Sequence, residues 1–120
     1  MDFLPIFINI KNQPCLVVGG GEVAIRKVTL LLQAGAQVSV ISPELNKPLT
    51  ELLTQKKITH RAKYFQPEYL ENTVLVIAAT NDRTINKVIS ASAKTRNIPV
   101  NVVDNPDLCT FIIPSIVDRT

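Results

Sequence analysis

The sequence predicts an α/β protein built on a doubly wound, mostly parallel sheet. Three observations carry this expectation. Cys15-Leu16-Val17-Val18 is an unbroken apolar run that ends in three glycines, Gly19-Gly20-Gly21. An unbroken run suits a strand covered on both faces, whereas a half-exposed strand alternates. Strand-like and helix-like segments then alternate along the rest of the 120 residues, a pattern that places helices on both faces of a parallel sheet in the order 3-2-1-4-5.

Each element has its own reason. From Glu22 the apolar residues Val23, Ala24, Val28, Leu31, Leu32 and Ala34 recur at helical spacing, and Gly35 supplies the stop. Gln37–Ile41 reads as a second strand closed by Ser42-Pro43, which completes a strand–helix–strand unit with an expected right-handed crossover. Leu45 to Lys56 reads as a helix with Pro48 in or before its first turn, and Ile58 to Ala62 as an edge strand carrying His60 and Arg61. Pro67–Leu70 reads as one short helical turn, and Thr73 to Ala79 as a central strand. Asn81 or Asp82 caps the next helix, with Ile85, Val88, Ile89, Ala91 and Ala93 on one side. Pro99 to Val103 is the fifth strand. Two more apolar stretches, Pro5–Ile10 and Phe111–Val117, are expected to be strand-like and to share one edge.

Composition bounds the function. The chain is 46% hydrophobic and 19% charged, a globular balance in one domain. No apolar run approaches the roughly 18 residues of a membrane span, and Met1-Asp2-Phe3-Leu4-Pro5 lacks the basic start of a secretory leader; a cytoplasmic location is expected. The net charge is +3, but the basic residues are scattered without interleaved aromatics, so a nucleic-acid partner is not expected. An anionic small molecule accounts for the excess equally well. Cys15 and Cys109 have no metal-ligand spacing, and no metal is expected.

The chemistry-bearing motif is Gly19-Gly20-Gly21-Glu22-Val23-Ala24, a match to G-x-G-x-x-A placed between a strand and a helix. Gly19 allows the tight turn, Gly21 lets backbone approach a diphosphate, and Ala24 keeps the helix close to the sheet. The amides of Glu22 and Val23 then open a helix whose N-terminus carries roughly half a positive charge. A dinucleotide, NAD or NADP, is the expected cofactor. No Lys-Ser/Thr follows the glycines, which excludes a phosphate-binding NTPase loop. The ribose-reading position falls at Ser42, a neutral residue, with Pro43 and Glu44 beside it; Ser42 or Glu44 is the candidate hydroxyl partner. No arginine follows to grip a 2′-phosphate, so the balance favours NAD. Ala79 and Thr80, at the end of the fourth strand, are the candidates for the nicotinamide half. His60, the single histidine, reads as a surface residue away from the phosphate turn.

Several stretches together resemble one family: Leu4-Pro5-Ile6-Phe7, the segment Val17 to Ala24 with Arg26-Lys27, Ala78 to Asp82, Asn101-Val102-Val103-Asp104 and Phe111 to Ser115. In that order they resemble the precorrin-2 dehydrogenase and sirohydrochlorin ferrochelatase family, the NAD-dependent module of siroheme synthases. The resemblance implies NAD-dependent oxidation of precorrin-2, an anionic tetrapyrrole, to sirohydrochlorin, with iron insertion in many members. It implies Asp104 as the acid–base residue, against the plainer role of starting a turn with Asn105-Pro106. Arg26 and Lys27 either draw in the polycarboxylate substrate or are solvated helix residues. Family members also continue into a dimerisation region. Residues 1–109 are therefore expected to form the NAD-binding domain, and 110–120 the cut-short start of that region in a homodimeric parent. The competing class is a non-enzymatic NAD(H)-sensing regulatory domain, which shares the glycine turn and does not need Asp104.

Overall fold

A computed structural model describes residues 2–114. Five strands form one parallel sheet in the order β3-β2-β1-β4-β5: β1 Pro14–Val18, β2 Gln37–Ile41, β3 Ile58–Ala62, β4 Leu75–Ala78 and β5 Val100–Val102. The helices are α1 Glu22–Gln33, α2 Lys47–Thr54 and α3 Arg83–Thr95, with 3-10 turns at Pro67–Leu70 and Pro106–Leu108. This is the expected order and alternation.

Because side chains alternate across a strand, β1 feeds two cores. Cys15 and Val17 pack with Val28 and Leu31 of α1, Leu49 of α2, and Val38, Val40 and Ile77 of the neighbouring strands. Leu16 and Val18 pack on the other face with Ile89 and Ala93 of α3, Leu70, Val76 and Val100. Burial on both faces explains why β1 and β4 read as continuous apolar runs.

The helix ends follow local chemistry. Gly35, at φ +83, closes α1 by donating its N–H to Leu32 O. Asn46 caps α2, its Oδ1 accepting from Leu49 N at 3.1 Å, with Pro48 in the first turn. Asp82, not Asn81, caps α3, its Oδ1 accepting from Thr84 N and Ile85 N.

Three expectations are corrected. The buried side of α3 is Asn86, Ile89, Ser90 and Ala93, while Ile85 and Val88 are 38% and 45% exposed. The helix is rotated because its two polar residues find hydrogen-bond partners at the protein interior's margin: Asn86 bonds the half-buried Thr80, and Ser90 Oγ donates to Leu108 O at 2.6 Å. Phe111–Pro114 is not a strand, and the rest of that stretch lies outside the described residues. The edge of β5 is already closed by the returning chain: Val100 N donates to Thr110 Oγ1, Thr110 N to Val100 O, and Val102 N to Cys109 Sγ. Pro5–Ile10 is not a strand either. Leu4, Ile6, Phe7 and Ile8 are exposed, only Ile10 enters the core, and the segment pairs with no strand among the described residues.

Candidate functional site

In a parallel sheet every strand ends on the same side, so the turns after β1, β2, β4 and β5 share one edge. The sequence-predicted residues all fall there: Gly19, Gly21, Glu22 and Val23 after β1; Ser42, Pro43 and Glu44 after β2; Ala79 and Thr80 after β4; Asp104 after β5. This carboxyl edge is where open α/β sheets bind ligands.

The three glycines have three different environments. Gly19 sits at φ +139, and a Cβ there would run into the Ala79 backbone carbonyl. Gly20 lies against Glu44 O and Ser42 Oγ, and its carbonyl accepts from Asn46 N at 2.8 Å, which ties the glycine turn to the one after β2. Above Gly21 the space is open, with no atom of the described residues within 4 Å of where a Cβ would stand. Gly21 is also the N-cap of α1, with no side chain capping it. The first amides of a 12-residue helix therefore have no capping side chain, and the space beside them at Gly21 carries no Cβ. A diphosphate would fit this cradle, since the first N–H groups and the positive helix end suit an anion without any side chain.

The flanking turns are more occupied. Ser42 is buried, and its hydroxyl donates to Glu44 O at 2.6 Å. Its proton is thus spent within the turn, while the exposed Glu44 carboxylate faces outward. His60 corrects the expectation of a remote surface residue. It is half-buried, with Nε2 2.8 Å from Ser42 O, because β3 runs parallel to β2 and brings its own carboxyl end to the same place. Arg61, next along β3, stacks over the Tyr69 ring. Arg26 is exposed on α1 and Lys27 half-buried.

Beyond β4, Thr80 is held by Asn86. Thr80 Oγ1 stands 2.6 Å from Asn86 Oδ1, and Asn86 Nδ2 donates to Thr80 O at 3.1 Å. Beyond β5, Asp104 is exposed and adopts φ +62, left-handed backbone that Asp tolerates better than most side chains. Cys109 Sγ braces that turn from beneath, on Val102 O and Asn105 O. Sequence reasoning missed Gly20, His60 and Asn86. The run of three glycines was a usable signal for Gly20, since two suffice for the motif; the other two needed the register of β3 and the rotation of α3.

A family described as "Putative NAD(P)-binding" matches residues 6–115. The chain belongs to that family. It is also 57% identical over its whole length to the siroheme synthase of Nitrosomonas europaea and 48% identical to that of Photobacterium profundum, covering 26% of each protein. The chain thus spans about a quarter of these relatives. Among solved structures, SirC, a precorrin-2 dehydrogenase, superposes with a TM-score of 0.86 at 27% identity, over 98% of this chain and 57% of that one. A lactate dehydrogenase from Eimeria maxima shares the fold alone, at a TM-score of 0.57 and 17% identity, over 85% of this chain and 39% of that one. The expected fold and nicotinamide-dinucleotide class both agree with these matches.

Proposed function

We propose that this chain is the NAD-binding module of a precorrin-2 dehydrogenase that makes sirohydrochlorin on the route to siroheme. The observation that carries the reading is the open hollow over Gly21 at an uncapped helix N-terminus. The likeness to siroheme synthases over the full chain and the fit to SirC support the substrate class.

In this reading the amides of Glu22 and Val23 hold the diphosphate, with Gly19 and Gly21 keeping the backbone accessible. Glu44, at the end of β2 with Pro43 and Ser42, takes the adenosine ribose hydroxyls and so favours NAD. Ala79 leaves room for the nicotinamide half, and Thr80 contacts it. When bound there, NAD supplies the hydride acceptor. Oxidation removes a hydride and a proton from precorrin-2, and the Asp104 carboxylate takes the proton. Asp104 suits that work: it is exposed, and its turn is fixed by Cys109 instead of being left to flex.

The longer parent would be a cytoplasmic homodimer whose dimerisation region begins near residue 110, with iron insertion, a lyase step, as a second activity. Residues 1–109 are the cofactor domain in this scheme.

The test is turnover of precorrin-2 with NAD by the parent protein carrying Asp104→Ala. The expected result is a loss of roughly a hundredfold or more in kcat with NAD affinity retained. Undiminished turnover would remove Asp104 from the reaction and favour the regulatory reading of the domain.

A further inference from the structure

The hydrogen bonds around Thr80 fix the direction of its hydroxyl. A backbone carbonyl can only accept, so the Asn86 group 3.1 Å from Thr80 O must be its amide NH2. The other end of the Asn86 side chain, 2.6 Å from Thr80 Oγ1, is therefore the amide oxygen. That oxygen can only accept, so the single hydroxyl proton of Thr80 points to Asn86. Asp82 O, 3.1 Å from Thr80 Oγ1, offers the proton only another protein acceptor. On the acceptor side, Asp82 N donates to Thr80 Oγ1 at 3.1 Å and occupies one lone pair. One lone pair is left, and no proton.

The geometry points to Asn86 as a positioning residue that makes Thr80 an acceptor-only contact for the nicotinamide half of the cofactor. Resting on the cofactor reading above, this deepens it at one atom. The diphosphate lies over β1 and the adenosine half turns toward β2, so the other half extends over β4, where Thr80 stands. Of that half, two groups donate hydrogen bonds: the ribose hydroxyls and the carboxamide NH2. Thr80 takes one of them and refuses acceptors. Asn86 is only 8% exposed, and both described hydrogen bonds of its side chain go to Thr80, so holding that residue is the side chain's task.

Calorimetric titration with three probes tests this: ADP, which lacks the distal half; ADP-ribose, which adds the distal ribose; and NADH, which adds the carboxamide. Thr80→Val is expected to weaken NADH binding roughly five- to tenfold, the loss of one hydrogen bond, with ADP unchanged. Asn86→Leu should give a loss of similar size, and the double variant no more than either alone, because both act through one hydroxyl. Thr80→Ser should restore wild-type affinity. A loss already present for ADP-ribose names the ribose hydroxyl as donor; a loss confined to NADH names the carboxamide. Equal weakening of ADP, multiplied losses in the double variant, or unchanged NADH binding in Thr80→Val would each overturn the inference while leaving the cofactor reading standing. A wild-type chain that bound neither ADP nor NADH would end both.

Discussion

The turns that leave β1 and β4 lie side by side at the same sheet edge, joined where Ala79 N donates to Val18 O at 2.8 Å. They are built on opposite plans. The first is bare backbone: Gly19 and Gly20 are pressed against their neighbours, and Gly21 is left open at an uncapped helix start. The second is filled with side chains, Thr80, Asp82 and Asn86, which hydrogen-bond one another and the local backbone so that the Thr80 hydroxyl proton is taken up. A bare turn binds charge through a fixed field and reads no chemical detail. A saturated turn contributes little binding but admits only a donor. On the proposed reading, the two together would divide one elongated ligand into a part that is gripped and a part that is recognised.

The largest effect should come from within the bare turn. Gly20→Ala forces a methyl into the Glu44 carbonyl, backbone that cannot swing aside, and is expected to cost about 3 kcal/mol of stability. Gly19→Ala should be similar, since it adds a left-handed φ to a clash with Ala79. Both are read by thermal or denaturant unfolding. If either were neutral, the close packing that separates these glycines from Gly21 would be wrong.

A smaller effect tests the floor that both turns share. Cys15 of β1 pairs with Leu75 of β4, and burial pushes its thiol up from 9.0 to about 11, with a backbone hydrogen bond from Leu75 pulling slightly the other way. The folded state therefore holds the proton more tightly than the unfolded chain. The stabilising contribution is complete below pH 9.0 and is lost as pH rises toward about 11. Chemical denaturation should show a decline of about 1.4 kcal/mol at about pH 10, and Cys15→Ala should flatten that part of the profile. A wild-type profile flat over this range would mean that water reaches the strand beneath the turns.

The smallest effect concerns the saturated turn. Asp82→Ala strips the cap from α3 and should cost about 1 kcal/mol on unfolding. Because Thr80 is held by Asn86 as well, NADH affinity should move less than in Thr80→Val. A larger loss of affinity in Asp82→Ala would transfer the positioning role from Asn86 to the cap.

The same contrast explains what could be read from the sequence. The bare turn was legible because its requirements are local: a strand, glycines at fixed offsets and a helix are all contiguous from Cys15 to Gln33. The strand order followed from alternation, and the Gly35 stop and Pro48 start from single-residue geometry. The saturated turn was not legible. Apolar spacing put Ile85 and Val88 inside, and nothing local says that a helix will bury Asn86 and Ser90 when partners six and eighteen residues away can satisfy them. His60 was missed for a related reason: its neighbour Ser42 is fixed by register between strands, with a shift at Val40 and Ile41. The apolar run after Thr110 misled because a sheet edge can be closed by a hydroxyl and a thiol as well as by another strand.

If the open space over Gly21 holds the cofactor's diphosphate on free amides, filling it with Gly21→Val should release the cofactor. The backbone at Gly21 is extended, φ −109 and ψ −157, which valine adopts, and the added Cβ meets no atom of the described residues within 4 Å. Calorimetric titration with NAD should give a variant that unfolds within about 1 kcal/mol of wild type and yet loses NAD affinity tenfold or more. A folded Gly21→Val chain that bound NAD as tightly as wild type would contradict the account.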